Sequence, residues 1–417
     1  MPSRTQRSFG PIVCGVGVLL AGCTSADTTT EPVQASTSST TEAPAAEPPT
    51  LRVGIVVNEA ATTAPFDEQI IAALSNSADD LTETSGLRID LRTVSVETPI
   101  GTEDAVRSLI DDEVSVIITG CDDETVPSVV QTATTNGLLT TTGCASLPRP
   151  AIDRVSREVN DELFIDLSSL TDDARAIANV VEGSLEASFV GVLHSDLFPD
   201  VERTCVDLIA QPDDTSDDSP LLSIPSTTMS FTELVDDPTN VVTDLQTALL
   251  DTASGDEVPD ALVICALPPT IGDVVSGLRE AGVDLPIVVP WYGDAQSWAV
   301  GTDDVFVVTP ASRHGDDPEP VVNDLFAALT TGENAPGAAA VVAADTLSIL
   351  VAAAGDGTLL DAQRLADTIR DSSAFPAGDI AGLSGPLVTW SGDDPVERVY
   401  RVLEIQNGEP QFHEQVR

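Results

Sequence analysis

Residues 51–57 read Leu-Arg-Val-Gly-Ile-Val-Val, an almost unbroken apolar run. A strand with one face in water alternates, so a run of this kind belongs in a parallel sheet covered on both faces. The segments that follow keep the same restriction. Residues 66–81 carry Ile70, Ile71, Ala73, Leu74 and Leu81 at helical spacing. Residues 87–94 alternate as a strand, 104–111 have the spacing of a helix, 114–118 are an apolar strand, 126–134 a helix and 138–142 a fourth strand. Strand and helix in strict alternation imply parallel pairing through right-handed crossovers. The rhythm restarts at 172–181 (helix) and 189–193 (strand). It continues with a helix at 201–210, a short strand at 221–224, a helix at 241–250, a strand at 261–265, a helix at 271–281 and a strand at 287–290. The remainder reads as strand 305–308, helices 321–329, 338–354 and 361–370, and strands 386–390 and 396–405 before an Asn407-Gly408 turn. A chain of 417 residues exceeds what one core usually serves. The expectation is two doubly wound α/β lobes.

The first fifty residues stand apart. Arg4 and Arg7 precede a short apolar run at 12–21, which ends in Leu20-Ala21-Gly22-Cys23. The run is too short to span a bilayer and has the order of a secretory leader. Small residues before a cysteine resemble a bacterial lipobox, which implies cleavage after residue 22 and acylation of Cys23. Residues 24–50 are rich in Thr, Ser, Pro, Ala and Glu, with Val33 as their one large apolar side chain, a composition that forms no core. The expected layout is a leader at 1–22, a lipidated tether at 23–50, a first lobe at 51–170 with 301–355, and a second at 171–300 with 356–417. The expected address is outside the cytoplasm, anchored to a bacterial cell membrane.

Charge and residue usage exclude several functions. All 18 basic residues are Arg against 68 Asp and Glu, a net charge of −50. Without Lys there is no phosphate-binding Walker lysine and no Schiff-base chemistry. The negative excess argues against nucleic acid as a partner. No nucleophile-elbow or zincin motif is present, His194, His314 and His413 are scattered, and the acidic runs at 213–218 and 316–317 lack the calcium-loop pattern. A binder rather than an enzyme is expected, a monomer with no metal and no cofactor. A hydrolase built around His194 is the weaker alternative. Once Cys14 leaves with the leader and Cys23 is acylated, Cys121, Cys144, Cys205 and Cys265 remain. An even number in an exported body suggests two disulfides in one of three connectivities. Because Cys121 and Cys144 each directly follow an apolar strand, the expected pairs are Cys121–Cys144 and Cys205–Cys265, with buried thiols as the other reading.

Three segments resemble the type I periplasmic solute-binding proteins of ABC transporters, in the branch that binds Leu, Ile, Val and amides. Residues 114–150 give strand, the turn Gly120-Cys121-Asp122-Asp123-Glu124, helix, then a strand ending at Cys144. Residues 259–287 include Leu278-Arg-Glu-Ala-Gly-Val-Asp-Leu-Pro-Ile287. Gly385-Pro-Leu-Val-Thr-Trp390 with Ile405-Gln-Asn-Gly408 is similar to the family's closing hairpin. The resemblance implies lobes closing on a small polar solute (an amino acid, amide or amine) that is delivered to a membrane permease. It also implies three chain crossings, expected near 168–171, 301–304 and 355–359. It places candidate ligand contacts after strand ends, at Asn58, Asp122, Asp123, Thr125, Ser146 and Phe198. The acids at the Asp122 turn either cap the helix behind them or favour a cationic or neutral ligand. Trp291, Tyr292 and Asp294 form the least accidental group, an aromatic wall beside a carboxylate suited to an ammonium. A sensor or partner-docking lipoprotein of the same fold is the second alternative.

Overall fold

The computed structural model describes residues 47–60, 64–122, 125–143, 161–165, 167, 170–195, 204–206, 208–209, 221–231, 238–249, 258–329, 337–355, 357–358, 360–371, 380–389 and 396–416. Residues Pro48–Arg417 form one compact unit.

The first lobe is built on a parallel sheet. Its strands are β1 (Thr50–Val57), β2 (Arg88–Ser95), β3 (Val116–Thr119), β4 (Leu139–Thr142) and β5 (Phe164–Ile165), in the order β2-β1-β3-β4-β5. The apolar run at β1 is central, as its composition requires. Leu51, Val53, Ile55 and Val57 face one core, while Val56 faces the other. Helix α1 (Ala64–Ser85) covers the first face. Helices α2 (Thr102–Asp111) and α3 (Val126–Thr135) cover the second, through Val106, Leu109, Val129 and Ala133.

The second lobe opens with α4 (Leu170–Asn179), then β6 (Val190–Ser195), β7 (Ser226–Phe231), α5 (Pro238–Leu249), β8 (Ala261–Cys265), α6 (Thr270–Glu280), β9 (Ile287–Val289) and β10 (Val305–Thr309). Gly282, at φ 79°, follows the end of α6 in the left-handed region where an L side chain is strained. Strands β7-β6-β8-β9-β10 pair in parallel. A hairpin of β14 (Tyr400–Gln406) and β15 (Glu409–Val416) extends the sheet antiparallel beside β10. Its turn has Asn407 at φ 54° and Gly408 at φ 83°, the pair of positive φ values that a two-residue hairpin loop demands.

Between β10 and this hairpin the chain visits the first lobe again. Helices α7 (Pro320–Leu329), α8 (Ala338–Ala354) and α9 (Ala362–Arg370) come first. The small antiparallel sheet β11 (Ile380–Gly382), β12 (Gly385–Thr389) and β13 (Val396–Glu397) follows. Helix α8 is buried nearly all round and lies along α1. Leu365, Ala366 and Ile369 of α9 share the core of β1.

Three expectations are corrected here. Residues 221–224 are not a strand. Leu222 is buried in the second core from a loop, and the strand is β7, whose alternating exposure marks a sheet edge. Residues 305–309 belong to the second sheet, not the first lobe, while α9, β11 and β12 lie with the first. The crossings also move. The chain leaves the first core after Leu167 and reaches the second by Ala174, close to the expected place. It returns between Thr309 and Val322, and crosses back between Leu387 and Tyr400. The turns at 301–304 and 357–358, within the segments expected to cross, lie inside a lobe instead. A turn is a local property, whereas the sheet a strand joins is decided by distant partners.

Candidate functional site

The carboxyl ends of parallel strands are where open α/β sheets expose loops to ligands. In the first lobe these ends are organised by Asp67, in the first turns of α1. Its carboxylate accepts the N–H of Asn58, just past β1, at 3.0 Å and that of Cys121, just past β3, at 2.7 Å. One side chain thus ties two strand ends together. Gly120 makes room for it, because a Cβ there would lie 2.4 Å from Asp67 Oδ1. Asp67 is buried, and that burial, helped by the nearby Asp122 charge, raises its pKa to about 6 against the pull of the two N–H donors.

Stability should respond to this group with a defined sign. The folded pKa lies above the ordinary 3.8, so the folded chain holds the proton more tightly. The contribution is full at low pH and lost as pH rises through about 6, an effect of roughly 2–3 kcal/mol. Urea unfolding of wild type and Asp67→Asn at several pH values should show the wild type losing ground to the variant between pH 4 and 6. A pH-independent difference would contradict the assignment.

Asn58 and Asp122 meet in front of Asp67. Asn58 donates from Nδ2 to Asp122 Oδ2 at 2.8 Å, and its Oδ1 accepts the Ala60 N–H at 3.0 Å. The same Asp122 oxygen accepts the Thr125 hydroxyl at 2.7 Å and the Thr125 N–H at 3.2 Å. Asp122 therefore ties together the turn that leads into α3, whose N-cap is Thr125 and carries no side-chain capping bond. Asn58, Asp122 and Thr125 form one network at the strand ends.

In the second lobe the chain after β9 makes a single 3-10 turn, Trp291–Ala295. The Trp291 ring meets Phe66 of α1 at 5.4 Å and 72°, and Tyr292 at 5.0 Å and 57°. Trp291 packs against both the first and the second core, so the carboxyl edges of the two sheets face each other here. Tyr292 is buried in the second core, with its hydroxyl 3.3 Å from Thr204 Oγ1.

Asp294 departs from the expected picture of a carboxylate presented to a ligand ammonium. It is 1% exposed. His314 Nε2 lies 2.7 Å from its Oδ1, Arg313 Nε lies 3.4 Å from its Oδ2, and Arg313 Nη2 donates to its carbonyl at 2.6 Å. A buried carboxylate needs such partners. They come from the segment after β10, so its charge is met inside the protein.

Two further ion pairs lie where the chain crosses between lobes. Arg401 grips Asp317 through Nε at 3.1 Å and Nη2 at 3.0 Å, and its Nη1 donates to the carbonyls of Ser384 and Val399. Asp345 of α8 accepts the Ser384 hydroxyl and the N–H groups of Leu383 and Ser384, with Arg398 Nε at 3.6 Å. Burial raises the Asp345 pKa, opposed chiefly by Arg398.

Cys205 and Cys265 are bonded, with S–S 2.10 Å. Cys121 is also disulfide-bonded, and Cys144 lies outside the described residues, as do Cys23, Asp123, Ser146 and Phe198. Among the described residues no group of His, Cys, Asp or Glu could hold a metal ion, and no helix is long and apolar enough to cross a membrane. Arg313, His314, Asp67 and the 398–401 arginines were not foreseen. The available signal was charge in an otherwise apolar context, as in Val-Tyr-Arg-Val at 399–402.

Two parallel-sheet lobes, three crossings and facing carboxyl edges define the type I periplasmic-binding-protein fold. Solved structures with this architecture include a leucine-binding protein from Thermotoga maritima, at TM-score 0.64 and 14% identity, covering 88% of this chain and 98% of that one. A branched-chain amino acid transporter substrate-binding protein from Streptococcus pneumoniae, in complex with isoleucine, matches at 0.62 and 15%, covering 88% and 99%. An ABC-transporter solute-binding protein from Rhodopseudomonas palustris, in complex with 3,4-dihydroxybenzoic acid, matches at 0.64 and 17%, covering 88% and 97%. No protein-family model and no curated protein sequence matches the chain.

Proposed function

We propose that this chain is an extracytoplasmic solute-binding protein, held to the membrane by a lipid on Cys23, that captures a small polar molecule between its lobes and passes it to an ABC permease. The observation that carries this reading is the meeting of the two carboxyl strand edges at Phe66 and Trp291, in a chain with three crossings about which lobes can close. Asn58, Asp122, Thr125 and Trp291 are the proposed contacts from the described residues. Asp123, Ser146 and Phe198 join them on the sequence resemblance alone. Asp294 supports the second wall from behind rather than touching the solute. Binding proceeds without bond-making, by a monomer, with Cys121 joined to Cys144. Lobe boundaries are proposed at 50–167 with 320–389, and 170–309 with 400–416.

The test is direct. Protein purified from its native membrane and denatured should release a stoichiometric small molecule, identified by mass spectrometry. That compound added back at a hundred times its Kd should stabilise the chain by about 2.7 kcal/mol. A preparation that releases nothing, and shows no thermal shift with a broad panel of amino acids, amides and amines, would defeat the reading.

A further inference from the structure

Resting on the solute-binding reading, we propose that the cleft selects a solute whose head group is a hydrogen-bond-donating cation, an ammonium or amidinium, and rejects one whose head group is a carboxylate. Among the described residues, the donors that Asn58, Cys121 and Thr125 bring to the first wall are already engaged. The Asn58 amide, the Thr125 hydroxyl and the Thr125 N–H all converge on Asp122 Oδ2. The N–H groups of Asn58 and Cys121 converge on Asp67. Two carboxylates of the protein therefore occupy the places at these strand ends where an incoming anion would find donors. Asp122 is only partly buried, and among the described residues the hydrogen bonds it accepts from side chains and from Thr125 N–H all go to Oδ2, which leaves its other oxygen to a visitor. Asp67 behind it adds charge of the same sign.

The opposite wall agrees with this. Trp291 is partly buried, beside Phe66, and an indole face attracts a cation. Asp294 is paired with Arg313 and in hydrogen-bond contact with His314, so this carboxylate is not the cation's partner; Asp122 is. A carboxylate solute would approach Asp122 with like charge and meet donors already engaged, a double penalty on binding.

The experiment uses the full mature chain and matched trios of compounds. One trio is isopentylamine, leucine and 4-methylpentanoate; the other is phenethylamine, phenylalanine and 3-phenylpropanoate. Calorimetry and thermal shift should show the amine binding at least about tenfold more tightly than the amino acid, and the acid not at all. Asp122→Asn should weaken the amine by about tenfold or more, and Trp291→Leu should weaken it too. A trio whose acid or amino acid binds more tightly than its amine overturns the proposal and leaves the solute-binding reading standing. Silence from every compound also overturns it, and the released-solute measurement then separates the two claims. A released carboxylate keeps the solute-binding reading, and no released solute ends both.

Discussion

Arg401→Ala should lower stability by about 3–5 kcal/mol, the largest single-residue effect expected in this chain. Both partners of the Arg401–Asp317 pair have 0% side-chain exposure. The guanidinium spans both carboxylate oxygens while its Nη1 serves the carbonyls of Ser384 and Val399. Removing it strands a buried charge, the buried Ser384 carbonyl and the part-buried Val399 carbonyl together. The N–H groups of Ser312 and Glu319, each 2.8 Å from Asp317, keep the carboxylate where it is, so it cannot turn to water. Arg401→Lys should fall between the two, since an ammonium cannot make the planar two-point contact. Asp317→Leu combined with Arg401→Met should cost less than the sum of the single changes, because a hydrophobic pair leaves no orphan charge. Urea unfolding of wild type, Asp317→Leu, Arg401→Met and the double variant checks this. A loss below about 1 kcal/mol in Arg401→Ala would mean the pair contributes no more than an exposed one.

The second large effect is covalent. Cys205 and Cys265 are both fully buried and are bonded across 60 residues of sequence. Closing a loop of that length in the unfolded chain corresponds to about 4 kcal/mol in the chain-entropy description. The double variant Cys205→Ala, Cys265→Ala should lose most of that, with a lowered urea midpoint. It should do so in the second lobe first, because both residues sit in that core. Wild type treated with a reductant strong enough to open the bond should fall to the same midpoint. A double variant as stable as wild type would show that the constraint is offset by native-state packing.

The sequence was most informative where burial forces composition. Strands β1, β3, β6, β8 and β10 are covered on both faces, and each can be read as an apolar run. The edge strand β7 could not, because Ser226-Thr-Thr-Met-Ser-Phe231 needs only one apolar face. The neighbouring apolar residues at 221–224 drew the assignment instead. Trp291 and Tyr292 stood out through rarity, among three Trp and two Tyr. What Asp294 does was hidden, because its partners Arg313 and His314 arrive from a different strand end, 19 and 20 residues on. Asp67 was hidden for the opposite reason. An acid in the first turn of a helix has a routine role with the helix dipole, and only the fold brings the ends of β1 and β3 to it. Crossing points depend on strand pairing, which no local pattern encodes.

The position of Trp291 has a practical consequence. Indole emission depends on whether the ring sits in water or in a dry apolar setting, and this indole rests against both halves with Phe66 at its edge. Of the other two tryptophans, Trp298 is buried within one core. The protein therefore carries its own optical gauge of lobe separation, readable in a fluorimeter without any attached dye. Its Lys-free sequence would in any case offer no side-chain amine for coupling one.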